Sequence, residues 1–257
     1  MYILGRVQML APLPYEEGVK RLMEKGFDGI EFGISDREFK PRPAFFAPGF
    51  AEEMKQVIRR YGVKAYSVSA HMDYTESEEA FKAVHDAIRV AKEMDAPLVI
   101  INGAKFREEE PYDVQWARQI EKTKELCSYA EELGIDLAME FEPGFVLDNT
   151  ERMLRAFQEI GSPALKVNAD VGHIFLQDPD PMAAIESCKG LIVHAHLENM
   201  KTGVHNHLVP YEGDMDLPGY VAKLREVGFD GMAAFDAYQY DYEAVAEDSV
   251  KYFKGIL

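Results

Sequence analysis

The sequence predicts an α/β fold of the (β/α)8 type, one barrel of eight parallel strands ringed by eight helices. Short apolar runs rich in Val, Ile, Leu and Ala alternate with longer segments of helical spacing, and the alternation completes eight times. Parallel strands need a crossover between them, so each apolar run followed by a helical segment reads as a βα unit. At 257 residues the chain also has the length of one such barrel, with no low-complexity linker to divide it into two domains.

Strands are expected at 3–8, 29–32, 65–70, 98–102, 136–141, 165–169, 192–197 and 231–235. Helices are expected at 15–25, 49–61, 77–94, 113–133, 150–160, 181–188, 217–227 and 242–253. Gly26, Gly62, Gly134, Gly161 and Gly228 each fall just past a helix, where a left-handed residue is wanted. Asn149 offers an N-cap, as does Asp178 ahead of Pro179 and Pro181, while Asp216 stands before the seventh helix. The sequence Gly-Phe-Asp-Gly occurs at 26–29 and again at 228–231; a recurring βα unit and a common helix-end turn both explain it. The longest irregular stretches, 35–48 and 199–216, both follow strands and so overhang the rim where barrel active sites form.

With 47% hydrophobic and 28% charged residues the composition is that of a globular protein, and no apolar run approaches the roughly 18 residues of a membrane helix. The amino end runs from Met1 straight into strand-like sequence without the pattern of a leader, so a cytoplasmic location is expected. Cys127 and Cys188, in or near predicted helices, read as two buried reduced thiols. A formal charge of −17 repels a phosphate backbone, so small-molecule partners are favoured and nucleic acid is not expected. Homo-oligomers remain open.

Side chains at i and i+2 of a strand share a face, which sorts the polar residues of each run into those entering the barrel and those facing helices. In the fifth strand Met139 and Phe141 face helices, while Ala138, Glu140 and Glu142 face the lumen or its mouth. Asn168 and Asp170 share the inner face of the sixth strand, with His173 just beyond; His194, His196 and Glu198 align on the seventh, and Ala234 and Asp236 on the eighth. A carboxylate in such a place is costly unless paired or metal-bound. Four consecutive strands thus each present an acid or imidazole at the carboxyl end, which is how oxygen and nitrogen ligands converge on one divalent cation. Glu140, Asp170, His196 and Asp236 are the candidate ligands; His194 reads as a hydrogen-bonded core residue, and Glu142 as a substrate contact or a partner for Lys166. Glu31 and His71 end the second and third strands at the same rim, and His205 and His207 stand two apart in the long loop, where metal binding, substrate contact and solvation are equally open. Phe45, Phe46 and Trp116 read as local packing rather than a ligand cover. Dinucleotide, phosphate-loop, nucleophile-elbow and CxxC signatures are absent.

On Asp170-Val171-Gly172-His173, Asp178-Pro179-Asp180-Pro181 and His194-Ala195-His196-Leu197-Glu198-Asn199, with Gly29-Ile30-Glu31-Phe32 and Glu140-Phe141-Glu142-Pro143 in support, the chain resembles the xylose isomerase-like TIM barrel superfamily, nearly end to end. That superfamily includes sugar phosphate isomerases and epimerases, ketose 3-epimerases, inosose and dehydroshikimate dehydratases and endonuclease IV. The resemblance implies a metal (Mn, Mg, Co or Zn) on Glu140, Asp170, His196 and Asp236, with Glu140 and Asp236 exchanging protons; the rim residues His173, His71, Glu142, Glu31, His205 and His207 are the expected carbohydrate contacts. It also exposes a departure: the epimerases carry Glu where this chain has the shorter Asp236. The endonuclease branch uses three metals and a further His where this chain has Asn102, so its ligand set is incomplete here. The expectation is therefore a metal-dependent sugar isomerase or epimerase acting through an enediolate. A dehydratase and a non-catalytic metabolite-binding barrel are the alternatives.

Overall fold

The computed structural model describes residues 1–257. Its strands are β1 (Tyr2–Arg6), β2 (Gly29–Gly33), β3 (Ala65–Ala70), β4 (Leu98–Ile101), β5 (Asp136–Met139), β6 (Leu165–Asp170), β7 (Ile192–Leu197), β8 (Asn199–Lys201), β9 (Val204–Leu208) and β10 (Met232–Phe235). All but β8 and β9 close into a parallel barrel in the order β1-β10-β7-β6-β5-β4-β3-β2. Outside it pack α1 (Tyr15–Glu24), α2 (Phe50–Tyr61), α3 (Glu78–Glu93), α4 (Tyr112–Leu133), α5 (Thr150–Ile160), α6 (Val171–Gln177), α7 (Pro181–Ser187), α8 (Leu217–Glu226) and α9 (Tyr242–Ile256).

The period of two decides where each apolar side chain goes. Val99, Ile101, Leu137 and Met139 face outward into the continuous core beneath the helices. Their strand neighbours Leu98, Ile100 and Ala138 form a separate small cluster that plugs the lumen. Above that plug the interior turns polar, and there the strand ends deliver their acids and imidazoles. The β6–β7 pairing shifts register between Val167 and Asn168, so that Asn168 faces His194 and Asp170 faces His196.

Four expectations need correction. The first strand stops at Arg6, and Val7–Leu10 is a short 3-10 helix. A helix, α6, starts directly where β6 ends, because Asp170 both closes the strand and caps the helix with its side chain. The expected loop 199–216 begins as an antiparallel hairpin, β8 with β9. Finally, α7 is capped by Asp180, which accepts from the Ala183 N–H; Asp178 instead accepts from the Thr150 hydroxyl at 2.7 Å and fastens the start of α5. The helix-end glycines do adopt left-handed φ values, from 66° at Gly62 and Gly134 to 93° at Gly228. Both cysteines are free and buried. Phe45 packs on Tyr15 and Phe50, and the Trp116 indole donates to Glu159, so neither covers a ligand. No helix is long and apolar enough to cross a membrane.

Gly29 shows how tightly the barrel is closed: a Cβ there would lie 2.0 Å from the carbonyl oxygen of Ala65 on the paired strand. Gly29→Ala should therefore cost about 1–3 kcal/mol, lowering Tm by roughly 2–4 °C per kcal/mol. Gly255→Ala, where nothing lies within 4 Å of an added Cβ, should not lower it. Thermal melts of the two variants check this pair.

Candidate functional site

Three carboxylates face one imidazole nitrogen. His196 Nδ1 lies 3.0 Å from Glu140 Oε2, 3.7 Å from Asp170 Oδ2 and 3.8 Å from Asp236 Oδ2. Each of these four residues is at most 3% exposed. Backbone pairing puts them there. The Glu140 N–H donates to the Ile101 carbonyl at 2.8 Å just past β5, and the Asp236 N–H donates to the Leu197 carbonyl at 3.1 Å just past β10. Asp170 spends Oδ1 on the His173 N–H at 2.7 Å, which leaves Oδ2 to point inward.

A second layer of groups fixes this cluster. Glu31, expected to touch substrate, lies fully buried against the far side of His196, with Oε2 2.9 Å from Nε2. It thereby orients the ring, as carboxylates behind metal-binding histidines do. Arg6 was not singled out by the sequence reading. Its Nε donates to Glu31 Oε1 at 2.8 Å and its Nη1 pairs with Asp236, so one guanidinium bridges two buried acids. The available signal was its place at the carboxyl end of β1, in register with Glu31. Asn168 was also passed over as a site residue; its amide donates to Glu140 Oε2 at 2.5 Å and its Oδ1 lies 2.8 Å from His194 Nδ1. Burial holds His194 down to about 3, so it is neutral, and with Ser67 3.2 Å from its other nitrogen it is a hydrogen-bonded core residue.

The electrostatics follow from burying so many acids. Burial pushes the Glu140 carboxyl up, but His196 and His71 outweigh it and hold the group well below the usual carboxylate range. Burial pulls His196 down, but Glu140 and Glu31 hold the imidazolium well above its ordinary value. For Glu198 the balance goes the other way: burial, with Asp170 and Asp236 adding repulsion, outweighs the pull of His196 and drives the carboxyl far upward into the protonated form. Its Oε1 accepts from the Gly172 N–H at 2.6 Å, an approach that only glycine allows, since a Cβ there would sit 2.2 Å from that oxygen.

The cluster also contains unmet hydrogen-bonding capacity. Asp170 Oδ2, Asp236 Oδ1, Glu198 Oε2 and His207 Nδ1 are all buried without a partner, and ligand atoms of these four residues lie within 4.8 Å of one another. Orphaned buried polar atoms are rare, and here they are two carboxylate oxygens, one oxygen of the protonated Glu198 and an imidazole nitrogen, drawn together. That donor set fits a divalent cation; it shares Asp170 and Asp236 with the expected ligands but holds Glu198 and His207 where Glu140 and His196 were expected.

Imidazoles roof the site. His71 Nε2 lies 3.1 Å from Glu140 Oε2. His173, on α6, directs Nδ1 to the Phe141 carbonyl at 2.9 Å and Nε2 to His205 Nε2 at 3.1 Å; His205 in turn meets His207 Nε2 at 3.1 Å. The hairpin thus turns two loop histidines into a cover whose His207 Nδ1 comes 3.7 Å from Asp236 Oδ2. Burial, with His173 and His207 adding repulsion, lowers His205 to about 4, whereas Asp170 and Glu142 overcome burial to raise His173. Glu142 stands at the mouth, apart from Lys166, whose charge is felt by Asp136 instead. Below the roof is a cavity of about 200 Å³ lined by Arg6, His71, Glu140, His173, Asp236 and Tyr238 among others. Tyr238, a further residue the sequence did not flag, sets its ring 5.5 Å from the Arg6 guanidinium and 6.0 Å from the ring of Phe39.

Residues 19–256 match the family model described as the xylose isomerase-like TIM barrel, and the chain belongs to that family. A fructoselysine 3-epimerase of Shigella flexneri is 26% identical over 266 residues, covering 95% of this chain and 94% of the relative. Among solved structures, a D-tagatose 3-epimerase-like protein aligns with a TM-score of 0.83 at 20% identity, covering 100% of this chain and 98% of that one. The IOLI protein, solved with a zinc atom, aligns with a TM-score of 0.79 at 15% identity, covering 100% and 96%. At such identities the structural likenesses show the fold.

Arg6→Met leaves Glu31 and Asp236 without their shared cation. Removing one partner of a buried ion pair costs about 3–5 kcal/mol, so urea unfolding without added metal should show a loss of that size. Saturating divalent cation should narrow the gap, because it binds only the folded state and the uncompensated Asp236 of the variant attracts it more strongly. A loss below about 1 kcal/mol would show that the bridge carries no stability.

Proposed function

We propose that the protein is a divalent-metal-dependent epimerase or isomerase of a sugar or a related small polyhydroxy carbonyl compound. The observation that carries this reading is the set of three carboxylates around His196 Nδ1 at the floor of a cavity sized for a small polyol. Relatives and structural neighbours named as sugar epimerases support it.

A cation held by Glu140, Asp170, His196 and Asp236 would supply the positive charge that acidifies a carbon beside a carbonyl. Glu140 divides its two oxygens between tasks. Oε2 takes the contacts to His71, Asn168 and His196, while Oε1 makes no hydrogen bond and is free to accept a proton. Asp236 has Oδ2 paired with Arg6, so its unpartnered Oδ1 is the one oxygen left to meet the cation or a proton. Proton removal by one carboxylate gives an enediolate, and return of a proton from the other, on the opposite face, inverts the carbon. His71 and His173 would hold substrate hydroxyls while the hairpin roof excludes water from the exchanging proton.

Solvent deuterium should enter the carbon next to the carbonyl of at least one ketose or aldose in D2O with Mn, Mg, Co or Zn supplied. Glu140→Gln should slow that exchange at least about 100-fold. Mass spectrometry of a broad sugar panel reads this directly, and no exchange with any member sinks the proposal.

Metal uptake should also depend on pH with a defined sign. An imidazole must be neutral to bind a cation, and His196 is held protonated above its ordinary value, so binding displaces a proton. Mn affinity should rise by up to about tenfold per pH unit below the raised folded value and level off above it. Without added metal, the charged ring contributes stability that is complete below about 6.5 and lost as pH rises through the folded value. Calorimetry in buffers of different ionisation heats counts the proton; zero release removes His196 from the ligand set.

A further inference from the structure

The loop after β2 places a phenylalanine where a turn asks for glycine. The Asp36 N–H donates to the Lys40 carbonyl at 2.9 Å and the Phe39 N–H to the Asp36 carbonyl at 3.1 Å, so residues 37–39 close a tight turn between them. A three-residue turn of this kind takes a left-handed residue at its third position, a conformation that glycine adopts without cost. Here that residue is Phe39, with φ of 60°. A bulky side chain in this region is a genuine outlier, and the ring gains no core in return, since the residue is 50% exposed. Strain kept without a packing gain is characteristic of ligand-contacting positions.

The surroundings hold that ring at the barrel mouth. Asp36 Oδ1 accepts from the Glu38 and Lys40 N–H groups at 2.8 and 3.0 Å, which stiffens the turn. Arg37 Nη2 donates to the carbonyls of Tyr238 at 2.7 Å and Tyr240 at 3.3 Å, which fastens the turn to the loop after β10. The Phe39 ring then lies 6.0 Å from that of Tyr238 with their planes 23° apart, and Tyr238 meets the ring of His207 edge-on at 5.5 Å. Phe39 and Tyr238 both line the cavity of about 200 Å³, and every other residue lining it is an acid, an imidazole or Arg6. The cavity therefore has one aromatic wall in an otherwise charged and polar lining.

A sugar carries matching surfaces, hydroxyls that hydrogen-bond and patches of C–H whose slightly positive hydrogens suit the negative face of an aromatic ring. We infer that Phe39 is a ligand-contacting, specificity-determining residue, forming with Tyr238 the wall that takes the C–H face of the sugar while the polar lining takes its hydroxyls. The inference rests on the sugar reading above and adds the residue that selects among sugars by where their C–H patches lie.

Calorimetry on the Mn-loaded protein with D-fructose, D-tagatose and L-ribulose tests it. At least one of the three should bind, and Phe39→Gly should weaken the tightest of them about tenfold. Phe39→Tyr, which keeps the ring, should restore most of that loss. The Tm of Phe39→Gly should stay within about 2 °C of the unaltered protein, because relief of the left-handed strain offsets the added freedom of the unfolded chain. Binding by none of the three sugars, an affinity unchanged in Phe39→Gly, or a loss that Phe39→Tyr does not restore overturns the inference. A larger fall in Tm beside the loss of affinity also overturns it, since the ring would then serve the fold. Deuterium exchange separates this idea from the reaction. Exchange with sugar affinity indifferent to Phe39 removes the wall alone, and Phe39-dependent binding without exchange removes the reaction alone.

Discussion

The mouth of this barrel holds Glu31, Glu140, Asp170, Glu198 and Asp236 in a space none of them leaves by more than 3% of its surface. Isolated carboxylates cannot be buried at tolerable cost, and nearly every polar contact around them follows from that. Arg6 spans Glu31 and Asp236, His196 stands between Glu31 and Glu140, Asn168 donates to Glu140, and Glu198 keeps its proton. What remains unsatisfied is confined to a few oxygens and one imidazole nitrogen around a common point. The same arrangement that is costly for the fold is what makes the site suited to a cation and to moving protons.

Much of this was visible in the sequence because a strand has a period of two and a parallel barrel has a single chemically active end. Glu140, Asp170, His196 and Asp236 are the inward polar positions at the ends of four successive barrel strands, and they converge as the alternation requires. The parts that were not legible lack periodicity. The hairpin alternates polar residues on both faces through His205, Asn206 and His207, so no apolar pattern marks it, and only Gly203, with φ of 74°, signals its turn. Helix α6 has seven residues and no linker before it, and its cap is also the last residue of a strand. Arg6 was hidden because a cation at a strand end looks like a solvated flank until its neighbour across the sheet proves to be Glu31.

Asp236 is clarified by the same network. The family resemblance leads one to expect a glutamate after the last barrel strand, where this chain has the shorter Asp236. In the structure Arg6 reaches it from β1, the strand paired with β10, and takes one carboxylate oxygen while the other stays free. The lost methylene is thus accompanied by a guanidinium that the acid would otherwise have to do without. The balance of charge at the centre depends on both positions together, and neither can be read alone.

The hairpin has a consequence for how such a site diversifies. Its roof is written in one short continuous stretch, β8 through β9, whose strands pair with each other and not with the barrel. Thr202 and Gly203 at its tip are exposed. Lengthening that stretch at its tip, beyond His205 and His207, changes the ceiling over the cavity while leaving the barrel register untouched. The molecule separates the machinery from the selector, so new ligands can be met by editing a cassette instead of rebuilding a core.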